Sequence, residues 1–278
     1  MGTELAAALA YASAAVGRRE GNLLVAHVLE TDRAGLLRRR EAVPEAAMRR
    51  LRRMVRLRRR GLPLAYVVGS AAFWDMTLAV GPGVLVPRPE SEHLVEAVRD
   101  SERTAPGRPV IADIGTGSGA IAIAIARELA LSEVVASDRS RLAVAVARKN
   151  VERWAPSVRV LDAGDLLEPL VAYGVVADVV VMNPPYVRTR DLGRVAREVR
   201  AEPRSALDGG VDGLAVVRRL VAALARGEGV RPGARVWLEV GRGQAPAVRG
   251  LLERLGGPTR VVRDLAGIER VVGGRLGA

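Results

Sequence analysis

The chain has 278 residues, 49% of them hydrophobic, so it can bury a sizeable core and has length for two domains. No cysteine is present, which excludes disulfides and thiolate metal sites, and no apolar run approaches the roughly 18–20 uncharged residues of a membrane span. The net charge of +12 is almost all arginine, Lys149 being the only lysine among 43 cationic side chains; it reads as a composition bias, and neither a membrane nor a stable nucleic-acid partner is expected.

The first stretch, Met1 to Arg19, lacks a basic segment followed by an apolar core and a cleavage site, so a cytoplasmic protein is expected. Up to about residue 70 the apolar residues recur at helical spacing: Leu5, Leu9 and Ala12, then Leu23, Leu24, His27 and Val28, then Met48, Leu51, Met54 and Val55. With Gly21-Asn22, Thr31-Asp32 and Pro44 as punctuation, this predicts a bundle of four or five short helices. The charges between Arg49 and Arg60 fall on the solvated face of one of them. Residues 64–87 alternate as strands do and end at Gly81-Pro82-Gly83, a β-hairpin linker. Ser91 is placed to cap a helix running through Val98.

From Pro109 onward strands alternate with helices. Strands are expected at 110–114, 133–137, 158–161, 175–181, 234–240, 259–263 and 270–272, and helices at 119–129, 141–151, 214–225 and 245–255. The alternation predicts an α/β fold, a doubly wound and mostly parallel seven-stranded sheet, and the last two strands, with no helix between them, a terminal antiparallel hairpin. The expected domains are a helical bundle (1–70), a β-hairpin linker (71–88) and the α/β domain (89–278).

Chemistry concentrates at the strand ends. The first parallel strand runs into Asp113-Ile114-Gly115-Thr116-Gly117-Ser118-Gly119 and then into a helix. Glycines at 115, 117 and 119 let the backbone turn tightly against a ligand. The G-x-G-x-G spacing, unlike the G-x-G-x-x-G that seats a pyrophosphate, suits with Asp113 the cationic methionine end of S-adenosyl-L-methionine. Asp138 ends the second strand, where a carboxylate accepts ribose hydroxyls; alone it would read as a helix cap. After the third strand, Asp165 in Gly164-Asp165-Leu166 competes with Asp162 for the adenine amino group.

The fourth strand ends in Asn183-Pro184-Pro185-Tyr186. A planar NH₂ is a poor nucleophile because its lone pair is delocalised. The Asn183 side-chain oxygen and the Pro184 carbonyl can accept its two N–H groups, holding the nitrogen in line with a sulfonium methyl. The prolines stiffen the loop, and Tyr186 can stack on the flat target. His27, on an apolar helical face, and His93, near a helix start, lie far apart, so neither a metal site nor a Ser-His arrangement is expected. Gly241-Arg242-Gly243-Gln244 reads as a turn into a helix.

Along nearly its whole length the sequence resembles the HemK-type protein-(glutamine-N5) methyltransferases. The segments that carry the resemblance are Pro63 to Tyr66 with Gly69 and Phe73-Trp74, Leu85 to Glu92, and Asp113 to Gly119. Further matches are Asn183 to Tyr186, Glu202 to Leu207, and Glu269 to Val271. The resemblance implies a Rossmann-like class I methyltransferase that modifies the glutamine of the Gly-Gly-Gln motif in class 1 peptide-chain release factors, with the helical domain helping to hold that substrate. It places the cofactor on Gly115 to Gly119, Asp138, Leu166 and Asn183, the substrate glutamine on Asn183 to Tyr186, and a closing segment on Arg88 and Ser91. Leu166 stands where the family often has an aromatic, Ser91 where it usually has Thr, and Ala266-Gly267-Ile268 replaces a polar run. The alternatives are a ribosomal-protein glutamine methyltransferase, an adenine-N6 nucleic-acid methyltransferase and a non-enzymatic ribosome-associated binding protein.

Overall fold

The computed structural model describes residues 2–39, 41–103 and 107–277. The chain divides into two compact units, residues 1–70 with 196–201, and residues 71–195 with 202–278.

In the first unit, α1 (Leu5–Val16) and α2 (Arg18–Val28) are separated by Gly17 alone, whose φ of 85° turns the chain. They pack closely because Gly21 has no side chain: a Cβ there would lie 2.7 Å from the Ser13 nitrogen. Asp32 caps α3 (Arg33–Arg38) by accepting from the Gly35 N–H at 2.6 Å. Along α4 (Glu45–Arg59), Met48, Leu51, Met54 and Val55 are buried while Arg49, Arg52, Arg53, Arg56 and Arg59 are exposed. Arg58 departs from that pattern. It is half-buried, its Nε 2.6 Å from Glu20 Oε2, and it also donates to Glu198 at 2.6 Å. His27 is exposed, not part of the apolar face.

Leu64–Val68 is a short helix, α5, where alternation suggested a strand. Pro63 presets the entry and Gly69, at φ 80°, closes the turn by donating to Ala65. Five residues are too few for periods of 2 and 3.6 to be told apart.

In the second unit, β1 (Ser70–Phe73) and β2 (Met76–Ala79) form a two-stranded sheet whose Phe73, Met76 and Leu78 are buried in the main core. A 3₁₀ turn (Pro89–Ser91) leads into α6 (Glu92–Glu102). There follow β3 (Val110–Ile114), α7 (Ala120–Glu128), β4 (Glu133–Ser137), α8 (Arg141–Trp154), β5 (Arg159–Val160), α9 (Glu168–Ala172) and β6 (Ala177–Met182). The chain continues as α10 (Ala215–Ala225), β7 (Val230–Glu239), α11 (Ala245–Glu253), β8 (Gly256–Arg263) and β9 (Glu269–Leu276). The seven strands lie in the order β5-β4-β3-β6-β7-β9-β8, parallel except for the antiparallel β7–β9 and β8–β9 pairs.

One face of the sheet packs Ile111, Val179 and Val181 against α6 and α7, the other packs Ala112, Val180 and Val236 against α10 and α11. Strand order reverses between β3 and β6, so the loops at their carboxyl ends splay apart and leave a crevice. Among the described residues no helix is long and apolar enough to cross a membrane.

Candidate active site

The crevice holds two adjoining cavities that share Leu85, Gly115, Gly117 and Asn183 in their walls. The larger, about 790 Å³ including its open mouth, reaches Asp138, Asp165 and Leu166. The smaller, about 400 Å³, reaches Arg88, Ser91, Thr116 and Ser118.

Gly115 and Gly117 build the floor. The Gly115 and Thr116 N–H groups both donate to the Ser137 carbonyl, and Gly117 donates to Asp138 Oδ2 at 2.9 Å. Gly117 has a φ of 57°, and a Cβ there would stand in open space, within the volume a ligand would fill. Asp138 also accepts from the Ser140 N–H at 2.8 Å, and burial pushes its carboxyl up. Ser140, not Asp138, caps α8, leaving Asp138 on the cavity wall.

Two residues of the loop sit elsewhere than expected. Asp113 is 1% exposed and absent from both cavity walls; its Oδ2 accepts from Thr116 Oγ1 (2.6 Å) and the Ala122 N–H (3.2 Å), so it braces the loop against α7. Burial lifts its carboxyl to about 7, and its Oδ1 has no hydrogen-bond partner among the described residues. Gly119 also lies off the cavity: a Cβ there would sit 3.4 Å from the Ala147 Cα, so its smallness serves the packing of α7 on α8.

Asp165 and Asp162 are separated by the fold. Asp165 lines the larger cavity and pairs with Arg219, whereas Asp162 faces outward to Arg148 and Tyr173. Leu166, next to Asp165, takes a φ of 47°, lines the same cavity and packs on the core beneath it.

Asn183 stands where the two cavities meet. Its Nδ2 donates to Ser91 Oγ at 3.0 Å, and Ser91 Oγ donates to Glu239 Oε2 at 2.6 Å. Ser91 therefore does not cap α6; its hydroxyl is committed to the site. Pro184 is buried and lines neither cavity, so its carbonyl, expected as an acceptor for the target, is not on either wall; Pro185 lines the larger one. The Tyr186 carbonyl accepts from Gln244 Nε2 at 3.1 Å, and its ring lies against Gly241, where a Cβ would be 3.0 Å from it. Burial, more than nearby Glu239 and Glu90, pushes the Tyr186 hydroxyl up to about 12. Gly241–Gln244 is a turn into α11, as its residues suggested.

Arg88 pairs with Glu202, which also accepts from the Val86 N–H at 2.9 Å. Glu202 is 4% exposed and so anchors the segment 85–88 from within. Glu202 and Glu239 are the residues that reading the sequence passed over as site components. The signal was present in both, a charged residue at a position that must be buried, Glu239 ending an apolar strand and Glu202 opening a Glu-Pro pair. Among the described residues no group of three His, Asp or Glu could hold a metal ion.

Comparison with known proteins agrees in kind across both units. The PrmC N-terminal domain model matches residues 3–69 and the methyltransferase small domain model matches residues 90–222. A release factor glutamine methyltransferase of Gloeobacter violaceus is 47% identical over 76% of this chain and 73% of its own length. That of Bordetella pertussis is 42% identical over 93% of this chain and 95% of its own. A methyltransferase from Pyrococcus furiosus shares the fold, with a TM-score of 0.53 at 19% identity over 74% of this chain and 92% of that one.

Proposed function

The chain belongs to the release factor glutamine methyltransferase family, and from that membership we propose that Asn183, at the meeting of the two cavities, presents the substrate glutamine to S-adenosyl-L-methionine. It is a protein-(glutamine-N5) methyltransferase whose substrate class is the peptide-chain release factor.

When bound, the cofactor supplies a methyl group on a cationic sulfur. The residues present fit such a ligand. Gly117 leaves the space a side chain would fill, Asp138 keeps lone pairs for ribose hydroxyls, and Leu166 and Asp165 offer an apolar surface and an acceptor to adenine. The smaller cavity, with Thr116, Ser118 and Arg88 around it, suits the polar amino-acid end. Asp113 acts on this end through Thr116.

On the substrate side, Asn183 Oδ1 accepts one N–H of the glutamine amide, and the carbonyl of Pro184, next along the loop though off both cavity walls, is the acceptor for the other. Acceptors fixed in this way hold the nitrogen on line and favour the positive charge that develops on it. Tyr186 is neutral, since burial pushes its hydroxyl up to about 12, and its ring, just off both cavity walls, is the flat apolar face offered to the target. The alkylated nitrogen becomes acidic as it forms, so its proton leaves without a strong base. The helical unit, matched by the PrmC N-terminal domain model, takes the role of holding the release factor.

The observation that carries this reading is the orientation of Asn183, with its NH₂ turned inward to Ser91 at the junction of the cavities. The test is to incubate the protein with methyl-labelled cofactor and, separately, purified release factor, ribosomal proteins and nucleic acid. Label is expected on the release-factor glutamine. Label confined to nucleic acid or to a ribosomal protein would overturn the reading.

A further inference from the structure

Behind the reacting edge, Glu239, Ser91 and Asn183 form a hydrogen-bond chain whose direction matters. Ser91 is 3% exposed and Glu239 2%, so no bulk water competes for their hydrogen bonds. Ser91 Oγ lies 2.6 Å from Glu239 Oε2 and 3.0 Å from Asn183 Nδ2. Asn183 also favours the charged form of Glu239.

A serine hydroxyl carries one hydrogen, and a carboxylate can only accept. With Glu239 ionised, the Ser91 hydrogen must point to Glu239, and Ser91 can then only accept from Asn183. The carboxamide is fixed with its NH₂ inward and Oδ1 toward the cavity. The opposite direction is equally well formed. A protonated Glu239 donates to Ser91, whose own hydrogen turns to Asn183, and the carboxamide rotates to bring Oδ1 inward. Asn183 would then show an NH₂ to the NH₂ of the target, and two donors facing each other cannot bond.

We infer that Glu239, acting through Ser91, is a positioning residue that fixes which way the Asn183 carboxamide faces, its ionised form holding the orientation that permits transfer. This rests on the role proposed above for Asn183 as the acceptor.

The surroundings set where Glu239 changes state. Burial raises its carboxyl to about 7; the hydrogen bond from Ser91 opposes this, Glu90 on the adjoining turn adds to it, and Arg270 on β9 and Asn183 oppose it. Tyr186, flanked by Arg88 as well, faces the same carboxylate and stays neutral. As pH falls through that value Glu239 gains a proton, both directions become available and the transfer-competent one is no longer enforced, so kcat should show an acid limb there.

The experiment measures kcat, KM for the release factor, cofactor Kd and melting temperature for the wild type and for Glu239→Gln, Ser91→Ala and Ser91→Thr, from about pH 5.5 to about pH 9. Glutamine at 239 is neutral at every pH and permits both directions. Its kcat should fall about 10- to 100-fold at pH 8 and lose the acid limb, with KM and Kd within about threefold of wild type. Ser91→Ala should lose a similar factor, and Ser91→Thr, which restores the hydroxyl, should recover most of it. A Glu239→Gln enzyme with wild-type kcat and an unchanged acid limb would overturn the inference. So would losses matched by equal losses of cofactor affinity or melting temperature, or by failure of Ser91→Thr to restore activity. Absence of release-factor methylation by the wild type would instead defeat the functional reading on which the inference stands.

Discussion

On the role proposed above, Asn183 has two separable duties that fall on different atoms. The nitrogen is spent on Ser91, and the oxygen is left for the target. Replacing it by alanine removes the acceptor but leaves Gly115, Gly117 and Asp138 on the wall of the larger cavity, proposed above to hold the cofactor. Asn183→Ala should therefore lower kcat by about 10²–10³-fold, the scale of losing one preorganised polar group at a reacting centre. Cofactor Kd, measured by calorimetry, should stay within about threefold; a parallel loss of affinity would contradict the assignment. Asn183 and Asp138 are legible in the sequence because each ends a strand, and strand ends in a parallel sheet converge on the crevice. The inward turn of Asp113 is not legible, since spacing along a loop does not say which side of it a carboxylate faces. Nor is the Ser91–Glu239 pair, whose members are 148 positions apart and meet only because α6 begins beside the end of β7.

At the scale of elements, α8 holds the β1–β2 hairpin to the glycine loop. Asn150 is 2% exposed; its Oδ1 accepts from the Ala79 N–H at 2.7 Å, and its Nδ2 donates to the Ala79 carbonyl (2.9 Å) and the Ser118 carbonyl (2.8 Å). One turn on, Trp154 Nε1 donates to the Thr77 carbonyl at 3.1 Å. Asn150→Ala would leave buried backbone groups on two segments without partners, at a cost of about 2–4 kcal/mol in chemical denaturation. Trp154→Phe, which removes one more exposed bond, should cost about 1 kcal/mol or less. Equal effects would show that Asn150 is not the tie. The hairpin reads in sequence as a linker because Phe73, Trp74, Thr77, Leu78 and Val80 show only a strand-like pattern before a Gly-Pro-Gly turn, and that pattern does not reveal what the apolar face packs on. The strand–helix alternation after Pro109 was legible because buried parallel strands are continuous apolar runs bounded by loop residues. The exception was short: α9 has five residues, below the length at which a period can be seen.

For the whole molecule, the sequence change near residue 70 suggests a single passage between two parts, yet the chain crosses three times. Residues 196–201 belong with the first 70, although the residues on either side of them belong to the other unit. Arg58 holds this excursion, joining Glu198 to Glu20 through hydrogen bonds of 2.6 Å to each, and Arg197 lies over Gly61, where a Cβ would be 2.6 Å from its Nε. Nothing local announces this, because Arg58 and Glu198 are 140 positions apart and Arg58 sits in a helix whose other arginines are mostly solvated. Hydrogen bonds to a charged group contribute about 1.5–3 kcal/mol, so Arg58→Ala should raise the open population of 196–201 by about 10- to 100-fold. Where opening and closing are fast, proteolysis follows that population. Trypsin cleavage after Arg197 or Arg200 should accelerate by the same factor in Arg58→Ala, while cleavage within the β-sheet stays at the wild-type rate. An unchanged rate at those arginines would mean that the excursion is held by packing alone, and a general rise at all sites would mean that Arg58 supports the whole helical unit.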